Sequence, residues 1–161
     1  MKRRPYDEIV NEINDHGDRK TQMRAVVDAL WTRLAETGVS WVGFYEHEGR
    51  PELVLGPSRN KPACSPIGLH GACGRAFLER RPLIVSNVRA LGAAYVACDP
   101  RDLSEVVVPI FDGAGVCRGV LDLDSFESGA FGVEDVQGLR AVLTKAGLAA
   151  ASDPIGHALQ V

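Results

Sequence analysis

The chain has 161 residues, 45% of them hydrophobic and 24% charged, and its 18 Lys and Arg against 21 Asp and Glu give a net charge of −3. That length and balance fit one globular domain over 1–161, with its core at about 20–150 and a loose tail at 153–161. The slight acidity argues against a nucleic-acid partner, which calls for a basic stripe, and no apolar run approaches the ~18 residues a membrane helix needs.

Tyr6, Ile9, Val10 and Ile13 recur at offsets 0, 3, 4 and 7, one face of a first helix. His16-Gly17-Asp18 interrupts it. Met23, Val26, Val27, Leu30, Trp31 and Leu34 carry a second helix, with Gly38 as its stop signal. The period then changes. Residues 39–45 are aromatic and β-branched and read as a strand, 48–50 as a turn, and 52–56 as a second strand. Pro57, Pro62 and Pro66 mark a long loop. A short helix is expected at 72–80, a short strand at 83–85 and another loop at 88–103. Residues 105–110 and 116–124 are two strands around the turn signal Asp112-Gly113-Ala114-Gly115. The last helix starts near Val133, with Glu134 and Asp135 in its first turn, where acidic groups suit the helix dipole. Val136, Leu139 and Leu143 point inward, and the remaining tail reads as loosely held. Helices thus flank strands joined mainly as hairpins, an α+β layout with an antiparallel sheet.

Strand alternation sorts candidate site residues by face. Trp41 and Tyr45 share one face with Gly43 between them. Two aromatics separated by a glycine can wall a small pocket for an apolar or cationic group, although ordinary core packing is the plainer reading of this strand alone. Asp122 and Asp124 also share a face, and Glu105 opens the neighbouring strand. Three gathered carboxyls can bind an amine or hold a proton for acid catalysis; a solvated acidic patch is the plainer alternative.

The basic residues near the N-terminus have no apolar stretch behind them, so no signal peptide is read there and a cytoplasmic setting is expected. In a reducing compartment cysteines are reactive or metal-binding more often than structural. Cys64 and Cys98 sit in loops. Cys73 sits at a helix start, where the dipole favours the thiolate. Cys117 alternates with Leu121 and Leu123 and reads as a small buried hydrophobe. Three convergent cysteines suit thiol redox chemistry. A zinc site, with His70 as a further ligand, is the other reading, but spacings of 9 and 25 residues are not those of a zinc ribbon.

Several stretches together resemble a known family. They are Trp41-Val42-Gly43-Phe44-Tyr45, Leu53-Val54-Leu55-Gly56-Pro57, Lys61-Pro62-Ala63-Cys64, Gly71-Ala72-Cys73-Gly74, Ala97-Cys98-Asp99, Ser104-Glu105-Val106-Val107-Val108-Pro109 and Gly119-Val120-Leu121-Asp122-Leu123-Asp124-Ser125, with Phe131 and Asp135 beyond. The chain resembles the free methionine-(R)-sulfoxide reductases, stand-alone GAF-domain enzymes, over about residues 20–145. The resemblance implies a GAF fold with a six-stranded antiparallel sheet flanked by helices, usually in a homodimer. It implies reduction of free methionine-(R)-sulfoxide with no metal or organic cofactor. Carried over by motif, Cys98 attacks the sulfoxide and becomes a sulfenic acid, Cys64 forms a disulfide with it, and Cys73 is a further resolving or relay thiol. Thioredoxin or a similar dithiol restores the enzyme. Trp41 and Tyr45 wall the substrate pocket. Glu105, Asp122 and Asp124 place the substrate, and one of them, protonated, serves the sulfoxide oxygen. The chain departs from the family in three loops expected to close over the site. Ser58-Arg59-Asn60-Lys61 follows Gly56-Pro57 where Phe-Gln-Gly-Lys is usual. The loop between Cys64 and Cys73 is one residue shorter. Ala94-Tyr95-Val96 stands where Gly-His-Ile is common. The alternative reading is a non-catalytic GAF module that binds a small molecule or senses redox state.

Overall fold

The computed structural model describes residues 3–95 and 98–161; Val96 and Ala97, from the motifs around Cys98, and Met1 and Lys2 lie outside them. The helices are α1 (Tyr6–Glu12), α2 (Arg19–Leu34), α3 (Ala72–Glu79) and α4 (Val133–Lys145). The strands are β1 (Val39–Glu46), β2 (Glu52–Arg59), β3 (Ile67–Gly68), β4 (Leu83–Val85), β5 (Ser104–Phe111), β6 (Cys117–Ser125) and β7 (Leu159–Gln160). They form one sheet in the order β3-β2-β1-β6-β5-β4-β7.

Local chemistry sets the element ends. The Asp18 carboxylate accepts the Thr21 N–H at 2.8 Å and caps α2. After a single 3-10 turn, Gly38 takes φ 99°, the left-handed conformation that stops the helix as the sequence predicts. Asp135 accepts the Gly132 N–H at 2.8 Å at the start of α4. No helix among the described residues is long and apolar enough to cross a membrane.

The central strands are buried on both faces, and alternation divides them cleanly. Val42 and Phe44 of β1, Val106, Val108 and Ile110 of β5, and Leu121 and Leu123 of β6 pack under α1, α2 and α4. The intervening Trp41, Tyr45, Val107 and Val120 point to the opposite face, where α3 and the loops cover them. This second face carries the polar side chains of interest.

The sheet has seven strands rather than six, and one pairing is parallel. The tail read as loose instead supplies β7, which lies parallel to β4 with Leu83 opposite Leu159. Backbone bonds from Val161 N–H to the Ile84 carbonyl, 2.9 Å, and from Ser86 N–H to the Val161 carbonyl, 2.7 Å, hold it there. An otherwise open edge at β4 explains the pairing, because its N–H and C=O groups need partners. β3 was also missed: it is two residues long and follows a Pro-rich loop. β2 runs on to Arg59, so Ser58 and Arg59 of the first departing segment lie in a strand, not a loop.

Candidate active site

Sheet register brings the three carboxyls together. Asp122 sits opposite Gly43 on one side and Val107 on the other; Asp124 sits opposite Trp41 and Glu105. One oxygen from each of Glu105, Asp122 and Asp124 lies within 4.8 Å of the others. Among the described residues neither a cysteine nor His70 joins that group, so the ligand set of the zinc reading does not assemble.

These groups floor a pocket of about 500 Å³, counted to its open mouth. Trp41, Tyr45 and Cys73 form its walls, with Cys98 at the edge. The rings of Trp41 and Tyr45 are 6.0 Å apart and tilted by 38°. Gly43 allows this, because a Cβ there would overlap the Trp41 ring, 2.6 Å from Cζ2 and nearer still to Cη2. Each aromatic also ties down the Cys64 loop. The Trp41 indole N–H donates to the Lys61 carbonyl at 3.0 Å, and the Tyr45 hydroxyl donates to the Cys64 carbonyl at 2.8 Å.

Electrostatics on the floor favour protons. Burial pushes the Asp122 carboxyl up to about 7 against the opposing effect of the Cys73 hydrogen bond, with a lesser upward push from Asp102. Burial and the charge of Asp122 raise Glu105 well above the usual carboxylate range. Burial and the same neighbours raise Asp124 likewise. The Oδ1 atom of Asp122 is buried without a hydrogen-bond partner. Three carboxyls in one dry site cannot all ionise, so the pocket holds protons near neutral pH.

The cysteines converge as expected. The sulfurs of Cys64 and Cys98 lie near disulfide distance, with the Cα atoms 5.5 Å apart. Both are exposed at the pocket mouth, but only Cys98 of the two lines the pocket. Cys73 lies on the pocket wall with its Sγ donating to Asp122 Oδ2 at 3.3 Å. The expectation of a thiolate at this helix start is not met. Full burial, then the charges of Asp122 and Glu105, push the Cys73 thiol well up. Cys117 is buried at the far end of β6, as read from its alternation. The glycine after Cys73 also has a reason: a Cβ on Gly74 would overlap the Leu69 backbone.

Sequence reasoning missed two polar lining residues. Tyr95, noted only as a departure from the family, lines the pocket, and its hydroxyl donates to the Asp99 carbonyl at 3.4 Å. Asp102 also lines it and accepts from the Ser40 hydroxyl at 3.1 Å. Asp102 sits two residues before β5, and no local pattern marks it.

Known proteins resemble this chain in sequence and fold. The GAF domain family model matches residues 17–150. The free methionine-R-sulfoxide reductase of Escherichia coli is 38% identical over 118 residues, which cover 72% of this chain and 68% of that protein. The reduced form of fRMsr of Staphylococcus aureus superposes with a TM-score of 0.81 at 32% identity, over 91% of this chain and 95% of that one. The free methionine-R-sulfoxide reductase of Neisseria meningitidis, solved in complex with its substrate, superposes with a TM-score of 0.76 at 30% identity, over 88% and 85%. The chain therefore belongs to the GAF-domain family and, within it, to the free methionine-R-sulfoxide reductase family.

Proposed function

We propose that this chain reduces free methionine-(R)-sulfoxide to methionine with its own thiols. One observation carries the assignment of roles: Cys98 faces the pocket, whereas its disulfide partner Cys64 stands outside it. That supports Cys98 as the thiol that meets a bound sulfoxide and Cys64 as the thiol that meets Cys98.

Cys98 attacks the sulfoxide sulfur. The oxygen ends on Cys98 as a sulfenic acid, and methionine leaves with its sulfur reduced. Oxide is a poor leaving group until it is protonated, and the raised carboxyls of Glu105, Asp122 and Asp124 are the proton source. Trp41 and Tyr45 hold the methyl and sulfur end. Cys64 then displaces water from the sulfenic acid and forms the disulfide. Thioredoxin or a similar dithiol reduces it, and its exposure at the mouth suits such a partner. Cys73 keeps its proton and faces the same pocket, so its part is that of a later relay thiol. No bound metal or organic cofactor enters this cycle. The working unit is a single domain over 1–161, paired as a homodimer in the cytoplasm.

The test is turnover coupled to the thioredoxin system, with free methionine-(R)-sulfoxide, its (S) epimer and a peptide-bound sulfoxide side by side. Turnover confined to the free (R) form, and abolished in Cys98→Ser with the fold intact, is the expected result. No turnover from reduced, folded protein would leave a small-molecule-binding or redox-sensing GAF module, and full activity of Cys98→Ser would refute the nucleophile.

A further inference from the structure

Four residues beside the two exposed cysteines have no part in the reaction above. Lys61, three residues before Cys64, pairs with the Asp99 carboxylate, next to Cys98. Arg101 grips the same carboxylate from the other side, Nη2 to Oδ2 at 2.8 Å and Nε to Oδ1 at 3.0 Å. Both cations lie over the ring of Phe126, Lys61 Nζ at 4.7 Å and the Arg101 guanidinium at 4.6 Å from its centroid. Phe126 directly follows β6, a fixed strand of the sheet. The Lys61 carbonyl is held by the Trp41 indole. These contacts form a bridge between two loops whose cysteines are 34 residues apart. None of them passes through the S–S bond.

We propose that Lys61 and Asp99 are positioning residues for disulfide closure, a role that rests on the reading of Cys98 as the attacking thiol. Their ion pair, seated on Phe126, clasps the Cys64 loop to the Cys98 loop in the reduced protein. The Cys64 thiol then meets a sulfenic acid on Cys98 without a search. In that step the Cys64 sulfur bonds to the Cys98 sulfur as the S–O bond breaks. The hydroxide takes the thiol proton and leaves as water; the Cys64 sulfur is oxidised and the Cys98 sulfur reduced. Removing the clasp lowers the effective concentration of one thiol at the other, because fewer contacts then hold Cys98 and Asp99 against the anchored Cys64 loop.

The experiment has two arms. In the first, reduced protein is equilibrated with glutathione buffers, and the Cys64–Cys98 disulfide is quantified by alkylation and mass spectrometry. Lys61→Met and Asp99→Asn should each need an approximately tenfold more oxidising buffer to reach the midpoint, and Lys61→Arg should restore it. In the second, reduced protein meets one equivalent of free methionine-(R)-sulfoxide with a sulfenic-acid trap present. The first methionine should appear at the wild-type rate, while the variants yield roughly ten times more trapped sulfenic acid. Phe126→Leu, which removes the ring under both cations, supplies a third variant should either charge change fail to fold. Unchanged glutathione midpoints in the folded variants would overturn the clasp. Absence of any methionine burst from wild-type protein would refute the reaction instead, and the glutathione arm, which needs no sulfoxide, would still decide the clasp.

Discussion

A methyl group added at Gly43 has nowhere to go. In Gly43→Ala the new carbon would lie 2.6 Å from Trp41 Cζ2 and 2.8 Å from the Ser58 Cβ. Carbon atoms rest at about 3.5–4.0 Å, so the indole must withdraw by about 1 Å. That movement also pulls the indole N–H off the Lys61 carbonyl, now at 3.0 Å. Overpacking costs about 1–3 kcal/mol and the lost hydrogen bond about 1, so the variant loses about 2–4 kcal/mol. At about 3 °C per kcal/mol for a domain of this size, Tm falls by about 6–12 °C. The aromatic wall retreats from the substrate's methyl group, and KM for the sulfoxide rises about tenfold, the scale of a lost methyl contact in an apolar pocket. Thermal melts, steady-state kinetics and Trp41 fluorescence in a Trp31→Phe background report the three effects separately. Gly113→Ala, whose Cβ would meet nothing within 4 Å, is the control and should match wild type. A Gly43→Ala protein with wild-type Tm and KM would refute the idea that this glycine exists to seat the indole.

Asp122 makes stability depend on pH with a definite sign. Its folded value near 7 exceeds the unfolded carboxylate value, so the native state holds a proton that the unfolded chain releases. Stability is full below about pH 4 in this respect and is lost as pH rises through about 7, on the order of 2–4 kcal/mol. Urea midpoints at pH 5 and pH 8 should therefore differ in wild type and draw together in Asp122→Asn; an unchanged gap would refute the assignment. On the opposite face, Arg4 and Asp135 pair at 2.8 Å with side chains 2% and 5% exposed, and the Tyr6 hydroxyl donates to the same carboxylate at 2.7 Å. Asp135→Ala strands a buried guanidinium and should cost about 3–5 kcal/mol in urea unfolding, well above a surface ion pair.

The parts of the fold that local periodicity encodes were legible. The stripe from Met23 to Leu34 gave α2, and alternation paired Trp41 with Tyr45 in β1 and Asp122 with Asp124 in β6; the register of the two strands then puts both pairs on one face. Glu105 joined them because β5 and β6 are neighbouring strands of a hairpin, the pairing that short connections favour. Illegible were features decided by partners far along the chain. Leu159 and Gln160 have no strand signal of their own and pair only because β4 offers an edge. Lys61 and Asp99 flank the cysteine motifs in plain view, yet their pairing depends on two loops meeting over Phe126.

Cys73 shows why a sound local rule failed. A helix N-terminus stabilises a thiolate by about 0.3–1 kcal/mol at an exposed site. Taking a charge out of water costs several kcal/mol, and nearby carboxylates add repulsion. Cys73 is buried against Asp122 and Glu105, so desolvation and like charge outweigh the dipole and the thiol keeps its proton. Cys98 differs in its surroundings: it is exposed at the mouth. Burial and like charge thus keep the proton on Cys73, whereas Cys98, at the exposed mouth, is free of that burial, as the first role proposed for it requires.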